Sequence, residues 1–106
     1  MSLRGKKLGL LLSLRPDHPN FQRGLCLAET AMALGAEVYM YCIDEAVHGV
    51  ADSRLQTLKG RGLKLYACAY GAQRRGLPHN DQAVYAGLTM VSEIMAATDR
   101  FISLNG

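Results

Sequence analysis

The sequence predicts an α/β fold: a small three-layer α/β/α sandwich around a mainly parallel sheet of four or five strands, in one domain over residues 1–106. Leu8 to Leu14 is apolar almost without interruption and lacks the in–out alternation of a strand with a wet face, as expected where helices cover both faces of a parallel sheet. Short β-rich runs then alternate with longer segments of helical periodicity, the order that builds parallel sheets. With 49% hydrophobic residues in 106, the chain can bury one core without disulfide or metal staples.

Lys6 to Ser13 is the first predicted strand. Arg15-Pro16-Asp17-His18-Pro19-Asn20 breaks it, and Asn20 is expected to cap a helix in which Phe21, Leu25, Ala28 and Met32 recur at helical spacing. Gly35 closes that helix. Glu37 to Ile43 is β-rich and makes the second strand, ended by Asp44-Glu45. Asp52 or Ser53 caps a second helix carrying Leu55 and Leu58, which Gly60 and Gly62 terminate before a third strand, Leu63 to Cys68. Val84 to Ala86 reads equally as a short strand or as the first turn of the next helix. Leu88, Val91, Ile94 and Met95 form an apolar helical stripe, Thr98-Asp99 ends it, and Arg100 to Leu104 is the last strand.

Composition excludes several classes. The net charge of +3 is dispersed, and only within the glycine-rich Gly71 to Gly76 segment do two arginines, Arg74 and Arg75, adjoin, so no nucleic-acid surface is expected. The apolar run that stops at Arg15-Pro16 is far short of the roughly 20 residues of a membrane helix. No signal-peptide pattern opens the chain, which predicts a cytoplasmic protein. Cys26, Cys42 and Cys68 are odd in number and form no C-x-x-C pair, so reduced thiols are expected. Cys26 reads as a small core residue of the first helix. Cys42 reads as core, or as a thiol able to resolve an oxidised Cys68 if the two strand ends approach. His18, His48 and His79 lie far apart and off metal-ligand spacing, so no metal site is expected.

In an open parallel sheet, function collects outside the carboxyl ends of the strands. That rule brings Arg15 to His18, Cys42 to Glu45 and Cys68 to His79 to one rim. The most informative segment is Tyr66-Ala67-Cys68-Ala69-Tyr70-Gly71-Ala72-Gln73-Arg74-Arg75-Gly76. If the run after Cys68 is a helical turn, its free N–H groups point near the sulfur and favour the thiolate, the nucleophilic form. Cys68 is the candidate catalytic residue. Arg74, Arg75, Gly71, Gly76 and Tyr70 support it, and His79 is a candidate proton partner.

This segment resembles the DsrE/DsrF-like sulfur-relay family, which includes the TusD-type subunits. There a cysteine is followed by a small-residue stretch and an Arg-Arg-Gly or Arg-Gly pair, matched here by Cys68 and Arg74-Arg75-Gly76. Ala86-Gly87-Leu88, the apolar helix and Thr98-Asp99-Arg100-Phe101-Ile102 resemble that family's last helix and strand. The resemblance implies a Cys68 persulfide that receives a sulfane sulfur and passes it to an acceptor thiol. It further implies no organic cofactor, donor and acceptor proteins or small thiols as partners, and a homotrimer, homohexamer or mixed oligomer. The region after Cys42 is shorter than in many relatives.

Two rival readings stand beside it. A non-catalytic subunit or small-ligand binder would leave the thiol incidental. Cys68 and Arg74 also meet the cysteine, five residues, arginine spacing of cysteine phosphatases, where a thiolate attacks phosphorus and arginine clamps the oxygens. Against that, Ala67 stands where those enzymes usually carry histidine, Arg75 replaces the usual Ser or Thr, and only Gly71 could turn amides inward.

Overall fold

β1 (Lys7–Leu12), α1 (Pro19–Ala33), β2 (Glu37–Cys42), a 3₁₀ turn (Asp44–Gly49), α2 (Ser53–Gly60), β3 (Lys64–Cys68), α3 (Ala69–Arg74), β4 (Val84–Ala86), α4 (Thr89–Ala97) and β5 (Arg100–Leu104) follow in this order in a computed structural model. The structure describes residues 1–105. The five strands form one sheet in the order β4-β3-β2-β1-β5, and every neighbouring pair is parallel. Val84 to Ala86 is therefore a strand, at the edge beside β3.

Register decides which side chains share a face. Leu10 pairs with Met40, Leu12 with Cys42, and Cys42 with Ala67. With Val38 and Leu65 they pack against Phe21, Leu25 and Ala28 of α1 and Leu55 and Leu58 of α2. Removing each such leucine or phenylalanine from water is worth roughly 1.5–3 kcal/mol, so this face holds most of the core. The opposite face carries Leu11, Tyr39, Tyr41, Tyr66, Cys68 and Phe101 beneath Ile94, Val91 and Met90 of α4. Coverage there is thinner. The predicted stripe on α4 is correspondingly narrower than its spacing suggests: Ile94 is buried, whereas Leu88 and Met95 are 60% and 54% exposed.

The cap of α1 also differs from expectation. Pro19 occupies the first helical positions, where its missing N–H costs nothing, so the cap moves back to His18, whose Nδ1 accepts from the Asn20 N–H at 3.0 Å. Asn20 sits inside the helix and donates from its side chain to the Asn105 carbonyl at 3.1 Å. At the far end Gly35, at φ +101, lets the Gly35 and Ala36 amides return to Met32 and Ala31. Asp52 caps α2, its carboxylate accepting from the amides of Arg54 and Leu55. Among the described residues, no helix is long and apolar enough to cross a membrane.

Candidate functional site

Cys68 is both the last residue of β3 and the N-cap of α3. Its backbone is still extended, at φ −66 and ψ 115, and its Sγ accepts the Gly71 N–H at 3.3 Å. The sulfur thus takes the place a Ser or Asp oxygen usually fills at a helix start. Small residues at Ala69 and Gly71 let the chain turn this tightly, and Gly76 stops the helix one turn later. At φ +69, Gly76 adopts a left-handed conformation that brings the Leu77 amide to the Ala72 carbonyl at 2.9 Å. The six-residue α3 is fixed by Cys68 at one end and Gly76 at the other.

Cys68 is 6% exposed and opens into a cavity of about 530 Å³ lined also by Tyr70, Gly71, Arg74, Arg75, Ile43, Asp44 and Leu88. Five of the seven residues expected at the site therefore meet at one cavity. The guanidiniums are engaged elsewhere than at the sulfur. Arg74 donates to the Tyr70 hydroxyl at 3.3 Å and lies 5.8 Å from the centre of that ring. Arg75 is half-buried and holds Glu45 at 3.4 Å and the Gly71 carbonyl at 3.1 Å. Arg75 thus has a carboxylate partner in Glu45, which also meets His48 at 3.3 Å, whereas the hydrogen bond of Arg74 goes to a phenol hydroxyl. Arg74 carries the freer positive charge over the cavity.

His79 lies away from the thiol. Its Nε2 is 3.1 Å from the Ala69 carbonyl and its ring stacks on Tyr85 at 4.5 Å, tying the loop after Gly76 to the start of α3. Gly76 likewise acts through the helix end. Gly71 needs only its amide: a Cβ there would meet Cys68 and Arg75 at 3.5–3.6 Å, ordinary contact.

The other two cysteines occupy different surroundings. Cys42 is fully buried on the α1–α2 face while Cys68 lies on the α4 face, so the sheet separates them and Cys42 does not serve as a resolving thiol. Burial alone pushes the Cys42 thiol up to about 12. Cys26 is exposed on α1, with Arg54 Nη2 3.9 Å from its sulfur, and is not the core residue its apolar neighbours suggest. It falls on the outward side of the helix, two positions from Ala28 and one from Leu25.

Sequence reasoning missed three contributors. Ile43 and Asp44 follow β2 and open the 3₁₀ turn, where Asp44 takes φ +53, a left-handed conformation that aspartate tolerates better than most residues. The carboxyl-edge rule brought Cys42 to Glu45 to the rim without assigning Ile43 or Asp44 to the site. Tyr41 gave no signal at all, because an aromatic in a β-rich run reads as core. It is fully buried, and its hydroxyl donates to the Ala86 carbonyl at 2.8 Å. Among the described residues, no group of three His, Cys, Asp or Glu side chains is arranged to hold a metal ion.

Chemically, the arrangement is a thiol with one backbone donor, at the floor of an open cavity with an arginine at its mouth. It suits attack by or on sulfur rather than enclosure of a bulky substrate.

The fold recurs in solved structures. The chain is 14% identical to the ychN protein of E. coli (TM-score 0.71, covering 92% of this chain and 98% of that one). It is 13% identical to MTH1491 of Methanobacterium thermoautotrophicum (TM-score 0.79, 92% and 98%). For BT1422 of Bacteroides thetaiotaomicron the identity is 14%, with TM-score 0.72 and coverage of 92% and 94%. No curated protein matches the chain. The DsrE/DsrF-like family model matches residues 6–104, the whole sheet and all its helices, and the chain belongs to the DsrE/DsrF-like family.

Proposed function

We propose that this protein is a sulfur-relay protein that carries a sulfane sulfur as a persulfide on Cys68. Family membership supports the class of activity, and the observation that carries the assignment is the Cys68 sulfur at the floor of the rim cavity, accepting the Gly71 amide. In loading, the Cys68 thiolate attacks the outer sulfur of a donor persulfide. A new S–S bond forms, the donor's S–S bond breaks, and its inner sulfur leaves with the electron pair as a thiolate. In release, an acceptor thiolate attacks the outer sulfur of the Cys68 persulfide, and Cys68 departs as the anion. A hydrogen bond to an ionised partner is roughly twice as strong as a neutral one, so the Gly71 amide favours the anion formed on release. Arg74 gives the mouth of the cavity a positive potential that attracts thiolate partners.

Donor and acceptor proteins or small thiols are the partners, in the cytoplasm. Copies of the chain assemble as a homotrimer or homohexamer through the exposed apolar side chains near the site, Tyr70 (66% exposed), Val84 and Leu88. The phosphatase reading loses support because Arg74 is turned to Tyr70, and a phosphate clamp needs that guanidinium on the oxygens.

The test is a transfer experiment. Protein loaded with inorganic polysulfide and freed of excess is mixed with a small thiol, and the persulfide formed on that thiol is measured. The reading expects one sulfur transferred per Cys68 and none from Cys68→Ala. Equal transfer by the variant would remove it and leave the incidental-thiol reading.

A further inference from the structure

Tyr41 is the longest of the fully buried side chains on the α4 face, and it lies on the strand beside Cys68. In the parallel register Tyr41 pairs with Tyr66, so Cys68, two residues on, projects from the same face one step nearer the rim. The Tyr41 hydroxyl ends on the Ala86 carbonyl of β4, and Ala86 is the register partner of Cys68. A side chain that starts on β2 and ends on β4 must cross β3, and the register places that crossing at Cys68. Tyr41, Cys68, Val47 and Ile94 accordingly form one buried cluster. The sulfur therefore has a backbone donor, from Gly71, and the Tyr41 side chain passing beside it, with its hydroxyl ending on β4.

Resting on the sulfur-relay reading, we propose that Tyr41 is a positioning residue for Cys68, its hydroxyl turning from the Ala86 carbonyl to donate to Sγ whenever the sulfur is an anion. With the thiol neutral, the hydroxyl stays on the carbonyl and offers its lone pairs to the S–H. When an acceptor thiolate takes the outer sulfur and the bond to Sγ breaks, the electron pair left on Sγ meets two donors, the Gly71 amide and the Tyr41 hydroxyl. No proton changes owner in this step; only the O–H rotates. A second donor matters here because the anion forms on a nearly buried atom, where an unpaired charge is expensive. Burial first, then charge on the Cys68 sulfur and a hydrogen bond to it, raise the Tyr41 phenol above its ordinary value, which favours the protonated, donating form.

The other ionisable groups around the sulfur are accounted for. Asp44 and Glu45 follow β2, Tyr70 and Arg74 belong to α3 with Arg75 capping its end, and Tyr66 lies beneath on β3. On this face α4 presents Met90, Val91 and Ile94, with Glu93 bordering Tyr39 and Tyr66 farther from the rim. Of these groups, only Tyr41 reaches across β3 at Cys68 from a neighbouring strand.

The experiment compares wild type, Tyr41→Phe and Tyr39→Phe, the last removing a hydroxyl from the same strand and face. Iodoacetamide reaction at Cys68 is followed by peptide mass analysis across pH, and release of loaded sulfur to dithiothreitol is timed. A hydrogen bond to a charged group contributes roughly 1.5–3 kcal/mol, so Tyr41→Phe is expected to slow release by about tenfold or more and to move the alkylation profile to higher pH. Tyr39→Phe is expected to match wild type. A Tyr41→Phe protein with unchanged profile and release overturns the proposal. The alkylation profile needs no loading, so if wild type takes up no sulfur the relay reading falls while the role of Tyr41 toward the thiolate is still decided. Should Tyr41→Phe fail to fold, infrared difference spectra of wild type decide instead. They are taken across the thiol ionisation, below the onset of tyrosine ionisation. A shifted tyrosine C–O band that vanishes in Cys68→Ala supports the proposal, and no shift overturns it.

Discussion

Gly71 contributes to the site through a backbone atom, and this separates two substitutions that look alike on paper. Its absent side chain leaves room at 3.5–3.6 Å, so Gly71→Ala should fold at least as well and keep sulfur transfer within about twofold, because Ala is the better helix former and the amide remains. Gly71→Pro removes the N–H from the first turn, where proline is tolerated, and should slow transfer by about fivefold to tenfold with a smaller change in melting temperature. Equal transfer by both variants would deny the amide a role. At this scale the sequence was informative about chemistry and poor about direction. Cys68, Tyr70, Gly71, Arg74 and Arg75 were legible from one segment and do line one cavity. Which way the guanidiniums turn was not legible, since it depends on Glu45, thirty residues upstream of Arg75, and on the Tyr70 ring. Cys26 was misjudged because burial of a single side chain is set by the helix face, which neighbouring letters do not reveal, and Tyr41 reads only as core because its reach to Ala86 depends on the strand order.

At the scale of elements, the site is held by short pieces with sharp ends. Gly76→Ala forces a side chain into a left-handed conformation at the end of α3 and should cost about 1–2 kcal/mol, read from the denaturant midpoint, with Gly76→Asn costing less. Gly49→Ala tests the other support of the rim, the 3₁₀ turn between β2 and α2. A Cβ there would overlap the buried Phe21 ring and sit 3.1 Å from Pro16, so overpacking of roughly 1–3 kcal/mol is expected. Unchanged stability would contradict the strain at Gly76 in the one case and the contact with Phe21 in the other. All five strands and the longer helices were legible, with Val84 to Ala86 left between two readings, because continuous apolar runs and glycine stops are local signals. The cap of α1 was placed two residues late, since asparagine is the better cap by type while Pro19 decides the position. The 3₁₀ turn was not foreseen, its residues Asp44 to Gly49 having no strong periodicity of their own.

For the whole molecule, parallel topology separates what the sequence left adjacent. Cys42 and Cys68 end neighbouring strands, yet odd and even positions put them on opposite faces. Buried Cys42 stays neutral in the folded protein until pH nears 12, whereas an unfolded thiol ionises near 9.0. Its raised folded value means that its contribution to stability is complete below pH 9 and is lost as pH climbs from there toward 12. Alkaline unfolding should therefore begin in that window, and Cys42→Ala should flatten the dependence; an equally steep loss in the variant would contradict it. At pH 8, iodoacetamide should modify exposed Cys26 readily and Cys42 only after unfolding. Sedimentation should show a trimer or hexamer that Tyr70→Ser with Leu88→Ser weakens, and a wild-type monomer would contradict the proposed assembly.

The most direct measurement is peptide-resolved mass analysis after brief exposure to polysulfide. One added sulfur on the peptide containing Cys68, removed by a small thiol and absent from the peptides of Cys26 and Cys42, is the predicted result. Sulfur found on Cys26 alone, or on no peptide, would contradict the account.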